Sequence, residues 1–528
     1  MRIAIVGGGP GGLFLATLLG RGLPGADITV FERNRAEDTF GFGVVFSDRT
    51  LAAIHDADPV LREALEEHGR HWDVIEVRLK GELLRCAGNG MAAVVRHTLL
   101  ALMQQRARAA GARLRFCEPV GLADVVDADL VVAADGTGST IREQLPADLG
   151  ESVETASAKF IWFGTDYLFD GLTFLHERGP HGVFAVHGYP ISQTRSTFIV
   201  ETDEASWRAA GLDGFDLGAP PGESDMVTKR YLEELFAEQI EGRSLLVNNS
   251  RWGNFRTRRT SRWHTLDPVP VALLGDAVHT AHFSVGSGTK MAMEDAIALA
   301  AAIMAAPDDL PAALAAYERA AQPSVGAIQQ AARPSLAWWE HFGRYHDFFE
   351  PWQFAYHFLT RSIGDARLAR RDPGFVAAAH RRWRARYGAE VLDSPLEHAG
   401  LTLAGRVVDV SFSGGLPVVA AGLPLLDAAP QPTARPWAAR LAAPAAEADL
   451  PAAFARLARL ADGDPAFVAV HGGSVLTRML SREQARMHHK LPALAAEEDL
   501  DDDAAVTAVL SGRADLVARP TDRAVSRP

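Results

Sequence analysis

The chain has 528 residues, 48% of them hydrophobic and 23% charged, and a formal charge of -13 at pH 7. That length supports more than one domain, and the acidic balance argues against a nucleic-acid partner or an anionic membrane surface. Cys86 and Cys117 are the only cysteines, which excludes a disulfide framework and a cysteine zinc site and points to a reducing compartment.

Glycines interrupt the N-terminal apolar run too early for a secretory signal, and no stretch stays apolar long enough to span a membrane. A cytoplasmic protein with no membrane partner is therefore expected. Residues 3–6 read as a strand, followed by Gly7-Gly8-Gly9-Pro10-Gly11-Gly12, an apolar helix, and a second strand over 28–31 that ends in Glu32. This is the dinucleotide pattern, with the acid ~20 residues past the last glycine. Gly7, Gly9, Gly11 and Gly12 permit the tight turn and close approach of a pyrophosphate, and Pro10 opens the helix whose N–H groups face it. Glu32 is placed for ribose hydroxyls without a 2′-phosphate, which suits FAD or NAD, and Arg33 beside it is placed to cover the adenine.

Residues 41–47, GFGVVFS, read as a glycine-punctuated apolar loop that lays Val44 and Val45 against a flat ligand, before a helix near Asp48. A helix over 94–103 opens with Arg96. A cation in a first turn opposes the helix dipole, so Arg96 calls for an anionic partner. Residues 130–134 form a buried strand that runs into Asp135-Gly136, then Ser139 and Arg142. Strands over 160–165, 172–175, 183–189 and 197–201 predict an antiparallel sheet inserted between the dinucleotide halves. His187 and Tyr189 share one face of it and are candidates to touch a substrate. Arg256, Arg258 and Arg259 crowd the next segment, either to grip the phosphates of a substrate tail or as a solvated basic face.

Residues 271–274 predict a buried strand, followed by Gly275-Asp276, a loop with Gly286-Ser287-Gly288 and a helix from about Lys290. Met291 after Lys290 excludes a Walker loop. Gly286 and Gly288 let backbone approach a flavin ring, Asp276 can accept from ribityl hydroxyls, and His282 is fixed beside them as a catalytic candidate. The histidines lack metal-ligand spacing, so no metal is expected.

These three segments, in this order, resemble the one-component flavoprotein aromatic monooxygenases, the family that includes 4-hydroxybenzoate hydroxylase. The segments over 38–48, 162–166, 196–202 and 279–300, with 360–362 and 371–375, resemble its acyl-CoA branch more closely. That branch contains salicylyl-CoA 5-hydroxylases and the monooxygenase half of 2-aminobenzoyl-CoA monooxygenase/reductase. The resemblance implies an FAD enzyme that uses NADH (NADPH the alternative) and O₂ through a flavin C4a-hydroperoxide to hydroxylate an aromatic acyl-CoA or acyl-carrier thioester. It implies 5-hydroxylation of a salicylyl thioester, with a 2-aminobenzoyl ring as the alternative. A reading from another class is a flavin-binding scaffold or redox sensor without turnover.

The expected fold is α/β. A Rossmann-like FAD-binding domain (about 1–73, 91–157 and 265–330) carries an inserted antiparallel substrate sheet (about 74–90 and 158–264) and a helical segment (331–390). Residues 391–528 follow as a small C-terminal α/β remnant. Residues 400–408 and 504–520 resemble the opening and ending of an old-yellow-enzyme barrel, but only about 130 residues remain where a (β/α)₈ barrel needs ~200 or more. A collapsed remnant without a second flavin is expected, with the Ala/Pro-rich residues 420–443 as a linker. The sequence leaves the oligomeric state open.

Overall fold

A computed structural model describes residues 1–39, 41–47, 51–146, 148–216, 222–286, 288–430 and 436–521. The chain divides into two compact units, Met1–Gly343 and Arg344–Pro528.

The first unit is built on a parallel sheet. Its order is His264–Thr265, Val271–Leu273, Leu130–Ala133, Arg2–Val6, Asp27–Phe31 and Arg113–Arg115, with only the His264–Thr265 edge antiparallel. The central strands are apolar on both faces, as a sheet covered on both sides requires. Helix Pro10–Gly22 packs against helices Arg96–Ala109 and Gly288–Ala305. The topology brings the ends of Arg2–Val6, Leu130–Ala133 and Val271–Leu273 side by side, so the three glycine-bearing loops open on one edge. Ligands bind such sheets at the carboxyl ends of the strands.

The second sheet runs Leu245–Leu246, Glu151–Thr165, Ser196–Thr202, Gly182–Pro190, Leu172–Gly179, Ile75–Leu79 and Glu82–Cys86, with Gly253–Thr260 also paired to Glu151–Thr165. It is antiparallel apart from the Leu172–Gly179 pairing with Ile75–Leu79. One face buries Phe184, Val186, Phe198 and Val200 against Leu232 and Phe236. The other carries Tyr189, Ile191 and Ile199 in a cluster with Trp72, Trp162 and Phe283. The alternation that separates these sets is the two-residue period of a strand.

Residues 43–47, expected as loop, form the strand Gly43–Ser47, paired antiparallel with Met91–Val95. Val94 and Val95 belong to that strand, so the following helix begins at Arg96. β-branched residues at these positions favour the ladder over a loop.

In the second unit, helices Pro351–Leu359, Asp365–Arg371 and Pro373–Tyr387 precede a closed barrel of seven strands. Val407–Ser413, Leu416–Ala420 and Leu423–Leu426 form an antiparallel meander. Ala438–Ala442, Val468–His471, Ala493–Ala495 and Leu516–Pro520 follow in parallel, joined by helices Leu450–Ala461, Val475–Glu483 and Asp502–Leu510. Val407↔Val517 pairing closes the ring. The two segments that resemble a barrel's opening and ending thus supply its neighbouring first and last strands. Residues 420–443 are no linker throughout, because Leu423–Leu426 and Ala438–Ala442 are barrel staves. Their alanines have a packing reason: a narrow barrel fills its interior with small side chains, here Ala420, Ala438, Ala469 and Ala518 with Val410, Leu494 and Leu516.

Candidate active site

At the first loop the glycines are needed for different reasons. Gly7 has φ +116°, and a Cβ there would drive into the Ala134 carbonyl. A Cβ on Gly12 would meet the Gly7 carbonyl, and one on Gly11 the Leu274 and Ala292 side chains. Gly9 has no heavy atom within 4 Å of a modest side chain's position, so it borders open space at the start of the helix that Pro10 opens. Glu32 accepts hydrogen bonds from the Gly8 N–H (2.8 Å), the Asn34 N–H (2.9 Å) and Asn34 Nδ2 (2.8 Å). Those bonds fix the carboxylate at the loop, while Arg33 is exposed beside it.

The second and third loops are tied by Arg142, which is buried and donates to the Ala277 carbonyl (2.8 Å) and the Thr137 carbonyl (3.2 Å). Asp135 accepts from the Ile141 N–H at 3.3 Å through Oδ2, and its buried Oδ1 has no hydrogen-bond partner. In the third loop Gly275 takes φ +63°. Its N–H donates to Asp295 Oδ2 (2.9 Å), which also lies 2.7 Å from His279 Nε2. This clamp holds Asp276 outward between buried neighbours. Asp276 itself is exposed, but the protein packed round it raises its carboxyl above the usual range, although His279 and Arg96 act to lower it. Arg96 sits across from it. Burial pushes the guanidinium down while Asp276 and Tyr189 favour its charge, and its Nε is buried without a hydrogen-bond partner.

Gly286, with φ +63°, lies over Val45, so two loops far apart in sequence meet there. Val44 is buried behind them. Gly288 opens the helix Gly288–Ala305 with no heavy atom near the place of a side chain; Ser287 lies outside the described residues. An unpartnered buried guanidinium nitrogen and carboxylate oxygen, with open space at Gly9 and Gly288, fit a long anionic cofactor with hydroxyls, as FAD is. Buried polar atoms without partners are rare unless a ligand satisfies them.

On the substrate sheet, Tyr189 stacks on Trp72 with ring centroids 6.1 Å apart. Burial pushes its phenol up to about 12, so it holds its proton at neutral pH and can donate. His187 is buried, its ring 4.2 Å from Trp339. Nε2 of His187 is 2.6 Å from Glu201, and Nε2 of His282 is 3.7 Å from the same carboxylate. The structure therefore brings His187 and His282 together, while Tyr189 faces the Arg96 side. Phe283 joins them to an aromatic wall with Phe160 (5.1 Å), Trp162 (5.5 Å) and Phe255 (6.1 Å). Trp162 Nε1 is buried without a partner and is a further donor on that wall.

Sequence reasoning missed Glu201, Trp162 and the Asp295 clamp. The signal for Glu201 was present: in STFIVET it takes the same face as buried Ile199, where a lone carboxylate needs partners. The three tail arginines are placed differently. Arg258 is buried and ion-paired with Glu151, Arg259 pairs with Glu154 at 3.0 Å, and Arg256 is exposed. Among the described residues no group of three or more His, Cys, Asp or Glu is arranged to hold a metal ion. No described helix is long and apolar enough to cross a membrane.

Comparison with known proteins agrees with this geometry. The family described as FAD binding domain matches residues 1–124 and 118–332. The chain is 54% identical over 520 residues to a salicyloyl-CoA 5-hydroxylase of Streptomyces sp, covering 98% of this chain and 99% of that protein. It is 37% identical to the 3-hydroxy-4-methyl-anthranilyl-[aryl-carrier protein] 5-monooxygenase of Streptosporangium sibiricum, over 64% of this chain and 89% of the relative. The crystal structure of a 2-methyl-3-hydroxypyridine-5-carboxylic acid oxygenase mutant shares the fold, with a TM-score of 0.52 at 19% identity over 69% of this chain and 98% of that one. The chain belongs to the FAD binding domain family and is an FAD-dependent monooxygenase of the aromatic-hydroxylase type.

Proposed function

We propose that the chain hydroxylates salicyloyl-CoA at C5, giving the gentisyl thioester, with NADH and O₂ as co-substrates in the cytoplasm. The observation that carries this reading is the 54% identity, over 98% of the chain, to a protein of that activity. Bound FAD supplies reduction by a nicotinamide and activation of O₂. The loop at Gly9, Glu32, Arg96 and Asp276 hold it, and Gly286 and Gly288 give it room beside Val45. Phe160, Trp162, Phe255 and Phe283 keep water from the reacting ring. Tyr189 donates a hydrogen bond, and His187 and His282 manage the proton of the ring hydroxyl. Of the three arginines, Arg256 is the one open to a thioester's phosphates.

A second reading, a carrier-protein thioester as substrate, is favoured by the 37% identity to an enzyme of an aryl-carrier protein. Reductant oxidation measured with free salicylate, its CoA ester, its carrier-bound form and 2-aminobenzoyl-CoA separates them, run with NADH and again with NADPH. The CoA ester with NADH should stimulate oxidation most, with one product formed per NADH. No stimulation by any aromatic would instead support a flavin-binding scaffold, and preference for the carrier-bound form the second reading.

A further inference from the structure

The substrate face of the sheet holds one carboxylate that no motif announces. Glu201 is 1% exposed, on a strand whose neighbours place Phe160 and Ala185 directly opposite it. Its Oε1 lies 2.6 Å from His187 Nε2 and its Oε2 lies 3.7 Å from His282 Nε2. Beyond His282 the chain of polar groups continues, from Nδ1 to Ser284 Oγ at 2.7 Å and on to Ser335 Oγ at 2.9 Å. A strand, a second strand, a loop and the long helix Leu310–Phe348 thus converge through one acid. Removing a carboxylate from water is costly unless it is paired or neutral, and here its nearest partners are two imidazoles among aromatic rings.

We propose that Glu201 is a positioning residue for hydroxylation: it pairs with Nε2 of His187, with His282 close by at 3.7 Å, and thereby fixes which imidazole nitrogen can accept a proton from the substrate. This rests on the function proposed above. In the step, the O–H bond of the ring hydroxyl breaks and an N–H bond forms on an imidazole. The imidazole is that of His187, whose Nε2 proton passes to Glu201 2.6 Å away, so phenol and carboxylate become phenolate and carboxylic acid with no redox change. The groups acting on Glu201 are His187 on its own sheet, His282 from the loop and Glu340 from the long helix. Burial, aided by Glu340 and opposed by His282, lifts the Glu201 carboxyl to about 7, where its occupancy changes within the neutral range.

The test compares wild type, Glu201→Gln and Glu201→Asp, all loaded with FAD. kcat and KM for salicyloyl-CoA are followed against pH, and the imidazole titrations are followed by ¹⁵N NMR without turnover. Wild type should show an inflection in kcat near the value at which Glu201 titrates. E201Q should lose that inflection and roughly tenfold or more in kcat, with KM little changed, and the His187 and His282 titrations should move together. E201D should restore an inflection at a displaced pH. An E201Q enzyme that keeps both the inflection and the wild-type rate overturns the proposal. If E201Q does not fold, E201D decides, and an unmoved inflection and unmoved imidazole titrations count against it. Should wild type fail to hydroxylate salicyloyl-CoA, the assigned function falls, while the imidazole titrations still decide the role of Glu201.

Discussion

Gly9 and Gly12 stand in one loop yet answer to different constraints, and substitution separates them. A methyl on Gly12 meets the Gly7 carbonyl, which is backbone and cannot swing aside. Gly12→Ala should therefore cost about 1–3 kcal/mol of stability, lowering the melting temperature of the flavin-free protein as well as FAD binding. A methyl on Gly9 meets no protein atom within 4 Å. Gly9→Ala should leave the flavin-free melting temperature unchanged and weaken FAD binding, read by quenching of flavin fluorescence. Equal loss of melting temperature in both variants would contradict this assignment. These glycines were legible in the sequence because strand, turn, helix and acid follow one another locally. Glu201 was legible only as a carboxylate on a buried face; its partners come from another strand and from a distant loop, and only the folded sheet brings them to it.

At the scale of elements, the turn after Val271–Leu273 depends on Asp295, about two turns into the helix Gly288–Ala305. Its carboxylate is 1% exposed and serves both the Gly275 N–H and His279. Asp295→Ala leaves a buried donor and a buried imidazole unpaired, a loss of about 3 kcal/mol. A lowered melting temperature and a reduced share of FAD retained through gel filtration should appear together, since the clamp sets Asp276. Strand and helix positions in the parallel sheet were legible from their apolar runs and turn residues. The strand Gly43–Ser47 was not, since Gly41 and Gly43 read as loop and its partner Met91–Val95 lies beyond an intervening helical segment. Pairing overrode the local signal.

At the scale of the whole chain, the C-terminal unit has its own ionic centre. Glu483 is fully buried, receives the Tyr345 hydroxyl at 2.5 Å, and lies 3.2 Å from His357 and 3.4 Å from Arg344. Burial acts to raise its carboxyl, but the His357 hydrogen bond and the charges of Arg344 and Arg513 outweigh it and hold it at about 2. A depressed carboxylate stabilises the folded state above its unfolded pKa and loses that contribution as pH falls through the folded value. The stability difference between wild type and Glu483→Gln should be about 3 kcal/mol at neutral pH, and should shrink as pH drops from 4.5 towards 2. Hydrogen exchange of the barrel amides against pH checks it, and a difference that grows on acidification would contradict it. The barrel was only half legible. Its first and last strands carried a resemblance, but an alanine-rich middle looks the same in a linker and in a narrow barrel until closure is seen.

In the proposed reaction this chain places an oxygen atom on an activated arene held as a thioester. The most direct test is turnover of salicyloyl-CoA with NADH under ¹⁸O₂, with the product analysed by mass spectrometry. The expected product is a gentisyl thioester carrying a single ¹⁸O at C5. NADH consumed with no label in any aromatic product would contradict it.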